Sequence, residues 1–389
     1  MNGKKSYPEE LERHWLDEAA AETHATGGDR DALARLAGDV RRLADRFTTE
    51  RPSGEVADYF KNTRTCLAYS LYFGPLSDAR MRLIGDEAPP AEPRRDKGRP
   101  WRILDAGAGT GGASWAALQR AEVAGHESTE LDAWDRSRVA LRCLHGCFTA
   151  CRERLWPRAT LRTHAGDVRE AVWDEGRYDE VILHYVLNEM APAARASALE
   201  KAARALAEGG TLWICEPLVR AEGDWMGDIR RMAVDDLGLR IWAPCPHEEP
   251  CRLGEPCHAV RTFAMPRSLQ ILNAGLKRDV RHLAFSWLAL RKGGERREGC
   301  RVRLAAPPSF AKGQVLYRAC CPDGAVSTVQ VLERGLDGKG RKALRGLERG
   351  EALDLERLAL LGDGKTLRGE GVVFAAGGGD GGGGGPGEE

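Results

Sequence analysis

The pattern of apolar and polar positions changes near residue 100. Before this point, apolar residues recur every three or four positions, which predicts helices over residues 8–48 and 56–86. The residues with this spacing in the first segment include Leu33, Leu36, Val40 and Leu43. Residues 87–100 are rich in proline and charge, so we expect a linker or an exposed loop there.

After residue 100, short apolar runs alternate with longer helical patterns. The runs predict strands at 102–105, 129–135, 161–164, 178–183 and 211–216. Helices are predicted between them, at 113–124, 136–155 and 192–207. This alternation predicts an α/β fold, a doubly wound Rossmann-like sheet with mostly parallel strands.

The remainder of the chain has a less regular pattern. A cysteine-containing segment follows residue 240, and a basic helical stretch is predicted at 265–290 with a loop at 291–300. Two further strands are predicted at 313–319 and 326–332. The last residues are glycine-rich and of low complexity, which predicts a disordered tail at 375–389.

Charge gives a local signal rather than a global one. The 389 residues are 42% hydrophobic, enough for a large core, and Lys+Arg and Asp+Glu both total 58. Net charge therefore gives no case for nucleic acid, and no DNA partner is expected. Residues 260–303, however, contain eleven Lys or Arg and only three Asp or Glu. Both a solvated helix face with a loop and a surface for RNA phosphates agree with this excess.

The sequence shows no targeting or membrane segment. It starts without an apolar leader, and no run approaches the ~18 apolar residues of a membrane helix. We therefore expect a cytoplasmic protein with reduced thiols and no membrane contact. In that compartment, eleven cysteines indicate metal binding or catalysis rather than disulfides.

A glycine loop lies between the first predicted strand of the sheet and the helix after it. Its spacing is D-x-G-x-G-x-G, formed by Asp105, Gly107, Gly109 and Gly111. Glycines let a backbone turn sharply and approach a ligand closely. The spacing differs from the dinucleotide fingerprint and resembles motif I of class I S-adenosylmethionine (SAM) methyltransferases.

The resemblance extends to the ends of the following strands and implies further SAM contacts. Asp135 stands where the family places an acid on the ribose hydroxyls, and Asp167 and Val168 stand where it contacts the adenine. Asn188, followed by Glu189, would face the methyl donor, although helix capping is the simpler explanation for both. No N-P-P-Y motif and no Pro-Cys pair follow the fourth strand, so no catalytic residue is assigned.

Three cysteines at equal spacing form the second candidate site. Cys245, Cys251 and Cys257 follow a C-x5-C-x5-C pattern among several prolines, which restrict the backbone. Zinc sites usually contain closer cysteine pairs, so the pattern favours an iron–sulfur cluster, with zinc or unlinked thiols as alternatives. The candidates for a fourth ligand are a histidine or one of Cys300, Cys320 and Cys321.

Two motifs resemble a methyltransferase-like family of small-ribosomal-subunit assembly proteins that is found in mitochondria and bacteria. They are A-P-C-P-H at residues 243–247 and A-P-P-x-x-x-K-G-x-V at residues 306–315. The resemblance implies a four-cysteine [4Fe–4S] site with Cys320 as the fourth ligand. This chain departs from the family in lacking an aromatic residue beside its third cysteine, Cys257.

Two functions follow from these resemblances. The first is a SAM-dependent methyltransferase that acts on ribosomal RNA or a ribosomal protein and contains a structural cluster. The second is a non-catalytic assembly factor that keeps the fold and binds rRNA. Radical SAM chemistry is disfavoured because the usual C-x3-C-x2-C motif is missing.

The combined reading divides the chain into five segments. They are an N-terminal helical region with linker (1–99), a SAM-binding methyltransferase core (100–240), a cysteine-rich and basic segment with C-terminal strands (241–335), a C-terminal extension (336–374) and the disordered tail (375–389).

Overall fold

The fold is known from a computed structural model of the chain. It describes residues 6–48, 58–89, 98–218, 224–278, 280–294 and 299–373. The predicted tail at 375–389 and most of the predicted linker lie outside the described residues. None of the described helices is long and apolar enough to cross a membrane.

Three helices precede the sheet, as the apolar spacing predicts. They are α1 (Glu9–Thr23), α2 (Asp29–Thr48) and α3 (Thr63–Glu87). Asn62 caps α3, since its side chain accepts a hydrogen bond of 2.9 Å from the Thr65 N–H. Apolar side chains of all three helices, among them Trp15, Leu36 and Leu71, belong to the core that also covers one face of the sheet.

A mixed sheet forms the centre of the molecule. Its strands are β1 (Trp101–Ala106), β2 (Thr129–Asp135), β3 (Ala159–Ala165), β4 (Tyr178–His184), β5 (Leu206–Pro217), β6 (Leu239–Ala243), β7 (Ala259–Thr262) and β8 (His282–Lys292). The order is β3-β2-β1-β4-β5-β8-β6, and β7 also pairs with β8. The first five strands are parallel and β8 is antiparallel. The parallel strands with helices between them confirm the predicted α/β fold.

Five helices accompany the sheet. They are α4 (Gly112–Ala124), α5 (Arg138–Leu155), α6 (Pro192–Ala205), α7 (Trp225–Asp235) and α8 (Arg267–Leu276). The first three occupy the predicted positions after β1, β2 and β4.

The predicted helix at 265–290 is wrong for its second half. Only α8 is helical there, and β8 begins at His282. The stretch from Phe285 to Leu290 is buried because β8 lies between β5 and β6, with both faces covered. A continuous apolar run of this length is equally compatible with a buried helix and a central strand, so periodicity could not distinguish them.

A second sheet closes into a small barrel at the C-terminal end. Its strands are β9 (Cys300–Leu304), β10 (Ser309–Ala311), β11 (Gln314–Cys320), β12 (Val326–Leu332), β13 (Ala352–Leu360) and β14 (Thr366–Val373). The helix α9 (Gly338–Arg345) connects β12 to β13. β9 pairs with both β13 and β11, which closes the ring. The boundary drawn at residue 335 from the sequence falls between two halves of this one barrel.

Candidate functional site

A cleft opens at the carboxyl ends of β1, β2 and β4, where the glycine loop lies. Its wall is formed by Asp58, Tyr59, Phe60, Gly107, Asp135, Arg136, Asp167, Val168, Arg169, Tyr185, Val186, Glu189 and Met190. Four of the residues predicted to bind a cofactor, Gly107, Asp135, Asp167 and Val168, therefore lie around one cavity. In open α/β sheets, ligands bind at this edge.

Gly107 occupies the tightest point of the glycine loop. Its φ is +89°, a conformation that favours glycine. A Cβ placed on it would lie 2.8 Å from Cγ2 of Val186, which is too close for two carbon atoms. The cleft therefore owes its shape at this point to the absence of a side chain.

Asp135 connects the glycine loop to the end of β2. Its Oδ2 accepts a hydrogen bond of 2.8 Å from the Gly109 N–H, and its Oδ1 accepts one of 2.8 Å from the Ser137 N–H. Burial raises the pKa of the Asp135 carboxyl, while these two N–H groups oppose the rise. The carboxyl group fixes the loop and also faces the cleft.

Asp167 and Val168 form the part of the wall that follows β3. Both carboxylate oxygens of Asp167 accept hydrogen bonds from the guanidinium of Arg169, at 2.9 and 2.7 Å. The side-chain hydrogen bond from Arg169 lowers the pKa of Asp167. Val168 is buried beside them and supplies an apolar surface.

The other predicted cofactor residues do not line the cleft. Asp105 lies beneath the glycine loop, fully buried, and its Oδ2 accepts a hydrogen bond of 2.5 Å from the Ser114 hydroxyl. Burial raises the pKa of Asp105 to about 7. Gly109 and Gly111 shape the loop at positive φ. Asn188 contributes its backbone to the loop after β4.

The loop after β4 is held by Glu216, a residue at the end of β5. The buried carboxylate of Glu216 accepts hydrogen bonds from three consecutive N–H groups, those of Val186 (3.2 Å), Leu187 (2.9 Å) and Asn188 (3.3 Å). Tyr185 begins this loop with a φ of +57°, which is uncommon for a residue with a side chain. Glu216 does not line the cleft itself, but its hydrogen bonds fix the loop after β4 that forms part of the cleft wall.

Several residues of the cleft were not predicted from the sequence. Tyr59 and Phe60 come from the segment before α3, far from the glycine loop in sequence. Arg136 pairs with Glu189 at 3.3 Å across the cleft. Burial raises the pKa of Glu189 to about 7. The position of Arg136 next to Asp135 was the only available signal for it, whereas nothing in the sequence pattern marks Tyr59 and Phe60.

The predicted cysteines meet at a second cavity, between the sheet and the barrel. Cys245, Cys251, Cys257 and Cys320 all line it. Cys321 instead belongs to the barrel core.

Three hydrogen bonds, donated by the side chains of Arg230 and Ser286, hold the cysteine loop around this cavity. The Arg230 guanidinium donates hydrogen bonds to the His247 and Glu249 carbonyls, at 3.0 and 2.8 Å. The Ser286 hydroxyl donates one of 2.6 Å to the Cys257 carbonyl. These hydrogen bonds hold the loop by its backbone carbonyls and do not involve the thiol groups of the three loop cysteines, which line the cavity.

Arg303 places a positive charge in the wall of the cysteine cavity. It lies opposite Cys320 in the pairing of β9 with β11 and is only 3% exposed. Its Nε and Nη2 have no hydrogen-bond partner among the described residues. Its guanidinium lies 5.9 Å from the centre of the Trp287 ring. A buried cation beside four cysteines suits an anionic group such as a thiolate-ligated cluster.

The cysteines are nevertheless not arranged as a finished metal site. Over the described ranges, no group of three or more His, Cys, Asp or Glu side chains is placed to hold a metal ion. Burial raises the pKa of Cys257 to about 11 and that of Cys320 to about 12, so both are thiols at neutral pH. Binding of a cluster or a zinc ion would require closer approach and deprotonation of these sulfurs.

Comparisons with known proteins found one family model and several solved structures that are similar to this chain. The model of the family described as mitochondrial small ribosomal subunit Rsm22 matches residues 65–354. No significant match is found among curated protein sequences. Similar solved structures include a putative methyltransferase from Bacillus halodurans (15% identity, 56% of this chain and 99% of that chain, TM-score 0.34). Others are magnesium protoporphyrin IX methyltransferase from Synechocystis with bound SAM (14%, 66% and 97%, 0.34) and an O-methyltransferase family protein from Burkholderia thailandensis (15%, 71% and 76%, 0.38).

Proposed function

Since the chain belongs to the Rsm22 family of mitochondrial small ribosomal subunit proteins, we propose that it is a SAM-binding, methyltransferase-like factor of small-subunit assembly or translation. Its partner is the small ribosomal subunit, through rRNA or a ribosomal protein. The observation that carries the proposal is the cleft, in which Gly107, Asp135 and Asp167 surround one cavity at the carboxyl edge of the sheet.

The residues of the cleft suit the parts of SAM. Gly107 leaves room for close approach, Asp135 can accept hydrogen bonds from ribose hydroxyls, and Val168 offers an apolar surface for the adenine. SAM supplies an activated methyl group, so the protein has mainly to align donor and acceptor. The Glu216-supported loop would form the side of the cleft that faces the acceptor.

SAM binding can be tested by calorimetry on two glycine variants. Gly107→Val should abolish measurable binding, because its Cβ would collide with Val186. Gly125→Val is the matched control: Gly125 also has a positive φ, +77°, but nothing lies within 4 Å of its added Cβ and it is remote from the cleft. Equal SAM binding by both variants would contradict the assignment of the cleft.

A non-catalytic assembly factor remains a second candidate function. The ion pair between Arg136 and Glu189 favours it, because it engages the acidic side chain of the loop after β4 that could otherwise accept a proton from a methyl acceptor. Incubation with labelled SAM and small ribosomal subunits separates the two. Label transferred to rRNA or a subunit protein supports the enzyme, and SAM binding without transfer supports the assembly factor.

We further propose that Cys245, Cys251, Cys257 and Cys320 hold a [4Fe–4S] cluster, with zinc as the alternative. Anaerobic purification followed by iron, sulfide and zinc analysis tests this. About four irons per chain and broad visible absorption would support the cluster. Cys320→Ser should lose the metal, whereas Cys321→Ser, its neighbour in the barrel core, should keep it. One zinc and no colour would replace the cluster by a structural zinc site.

A further inference from the structure

The C-terminal barrel has a connectivity found in nucleic-acid-binding proteins. Around the ring, the strands follow the order β9-β11-β12-β14-β13 and return to β9. β12 and β14 pair in parallel, the other neighbours are antiparallel, and α9 connects β12 to β13. This is the five-stranded Greek-key arrangement of the OB-fold, in which the second and third strands bind oligonucleotides or oligosaccharides.

The second and third strands of this barrel are β11 and β12, and their outer face is accessible to solvent. Alternate residues of β11 and β12 point into the barrel core, as shown by Val315, Tyr317, Val329 and Val331. The residues between them form an outer face that we call the strand face: Gln314, Leu316, Arg318, Thr328, Gln330 and Leu332. All six are exposed or half-buried.

The chemistry of the strand face suits a polyanion with unpaired bases. Its six residues include two amides and one arginine but no acid. Arg368 on β14 extends the face and donates a hydrogen bond of 3.4 Å to Oε1 of Gln330. Arg318 is half exposed and forms an ion pair of 3.2 Å with Glu255, which is also half exposed. Amides read base edges, and arginines contact phosphates.

Charge is also distributed in favour of the barrel. Residues 304–373 contain eleven Lys or Arg and nine Asp or Glu, an excess of two positive charges, whereas the whole chain has 58 of each. By contrast, the basic segment at 260–303 is largely engaged within the molecule. Arg261, Arg278, Lys292 and Arg301 have internal partners, and Arg303 is buried.

Two loops border the binding face of an OB-fold, and both carry suitable side chains here. The connection from β9 to β11 includes β10 and carries the exposed Lys312. Phe310 of β10 is also exposed, but it pairs with the core residue Val315 and so projects away from the strand face. The connection from β13 to β14 carries the exposed Lys365. Lysines at these positions can contact phosphates of the bound strand.

We propose that the strand face binds a single-stranded segment of RNA, with phosphates on Arg318 and Arg368. This inference rests on the proposed ribosomal function and names the surface that performs it. The strand face continues along β11 to Cys320, so one strand links it to the cysteine cavity.

The test measures binding of the full chain to a fluorescent single-stranded 12-nucleotide RNA over a range of salt concentrations. Arg318→Ala/Arg368→Ala should weaken binding about tenfold or more and reduce the slope of log K against log salt by about 1.4, for two lost phosphate contacts. Lys339→Ala/Lys342→Ala is the matched control, because it removes two exposed charges from α9. It should change affinity less than about twofold.

Two further variants probe the face without removing an arginine. Thr328→Glu adds a negative charge to an exposed position of the strand face and should weaken binding. Phe310→Ala changes an exposed residue on the opposite side of β11 and should change affinity less than about twofold. Thermal unfolding of every variant verifies the fold, and Thr328→Glu decides the question if the double variant does not fold.

The outcomes separate this inference from the proposed function. If the wild type binds RNA and the strand-face variants bind it equally well, RNA lies elsewhere and only the strand face is overturned. The same conclusion holds if duplex RNA binds as tightly as single-stranded RNA. It also holds if the strand-face variants keep their affinity for RNA but no longer bind a ribosomal protein. If the wild type neither binds SAM nor co-sediments with small subunits, the proposed function itself fails.

Discussion

A single residue, Arg303, carries the strongest physical argument about the cysteine cavity. A buried guanidinium whose Nε and Nη2 lack hydrogen-bond partners destabilises a protein, because its hydration is lost without replacement. An anionic cluster on the four cysteines would compensate the charge. The same residue should therefore affect the metal-free and the metal-bound protein in opposite directions.

Arg303→Met should raise the stability of the metal-free protein by about 1–4 kcal/mol, because it removes an uncompensated buried charge. It should also speed the loss of iron to a chelator. Arg301→Met, two residues away on β9, is the control, since Arg301 pairs with Asp354 at 2.6 Å outside the cavity. Urea unfolding and chelator kinetics measure the two effects. Equal iron retention by both variants would contradict a role for Arg303 beside a cluster.

Asp105 makes a separate prediction about pH. Burial raises its pKa to about 7 in the folded protein, above its ordinary value of 3.8. Its contribution to stability is therefore fully present below about pH 4 and is lost as the pH rises through about 7. Asp105→Asn should flatten the fall in stability between these pH values by about 2–4 kcal/mol. Urea unfolding from pH 4 to 8 measures this, and parallel curves for variant and wild type would contradict it.

At the scale of elements, the sequence predicted the parallel half of the sheet better than the rest. Alternating patterns located β1 to β5, and the D-x-G-x-G-x-G spacing located one wall of the cleft. β8 was mistaken for helix because an apolar run buried on both faces has no distinctive period. Tyr59 could not be assigned to the cleft, nor Glu216 to the loop after β4, since only the folded chain brings them there.

The loop after β4 depends on Glu216 in a way that can be measured. In Glu216→Gln, one carboxylate oxygen becomes an NH2 group that would face backbone N–H donors. We expect a loss of about 1–3 kcal/mol in the free energy of unfolding and weaker SAM binding. Glu356→Gln, on the exposed side of β13, should change neither. A Glu216 variant with normal stability and SAM affinity would show that the loop does not need these hydrogen bonds.

For the whole molecule, closure of the barrel was the main feature that the sequence could not indicate. Two of its strands, β11 and β12, were predicted, but the ring requires β9 to pair with β13 about fifty residues later. Such pairing leaves no local pattern. For the same reason, the predicted boundary between residues 335 and 336 divides strands that belong to one barrel.

Arg261 connects the three parts of the molecule. It lies on β7 of the sheet, and its guanidinium donates hydrogen bonds to Glu87 at the end of α3 (2.9 Å) and to the Arg349 carbonyl in the barrel region (2.6 Å). The pair with Glu87 is buried, so the carboxylate depends on a nearby positive charge. The helices, sheet and barrel should therefore unfold together rather than as independent domains.

Arg261→Met should lower the free energy of unfolding by about 3–5 kcal/mol, because it leaves the Glu87 carboxylate without its buried partner. Arg278→Met is the control: it breaks an exposed pair with Asp45 and should cost no more than about 1 kcal/mol. Urea unfolding followed by far-UV circular dichroism and tryptophan fluorescence gives both the energy and the cooperativity. Coincident transitions in the wild type that separate in Arg261→Met would show that this contact couples the barrel to the sheet, whereas two separate transitions in the wild type would contradict the coupling.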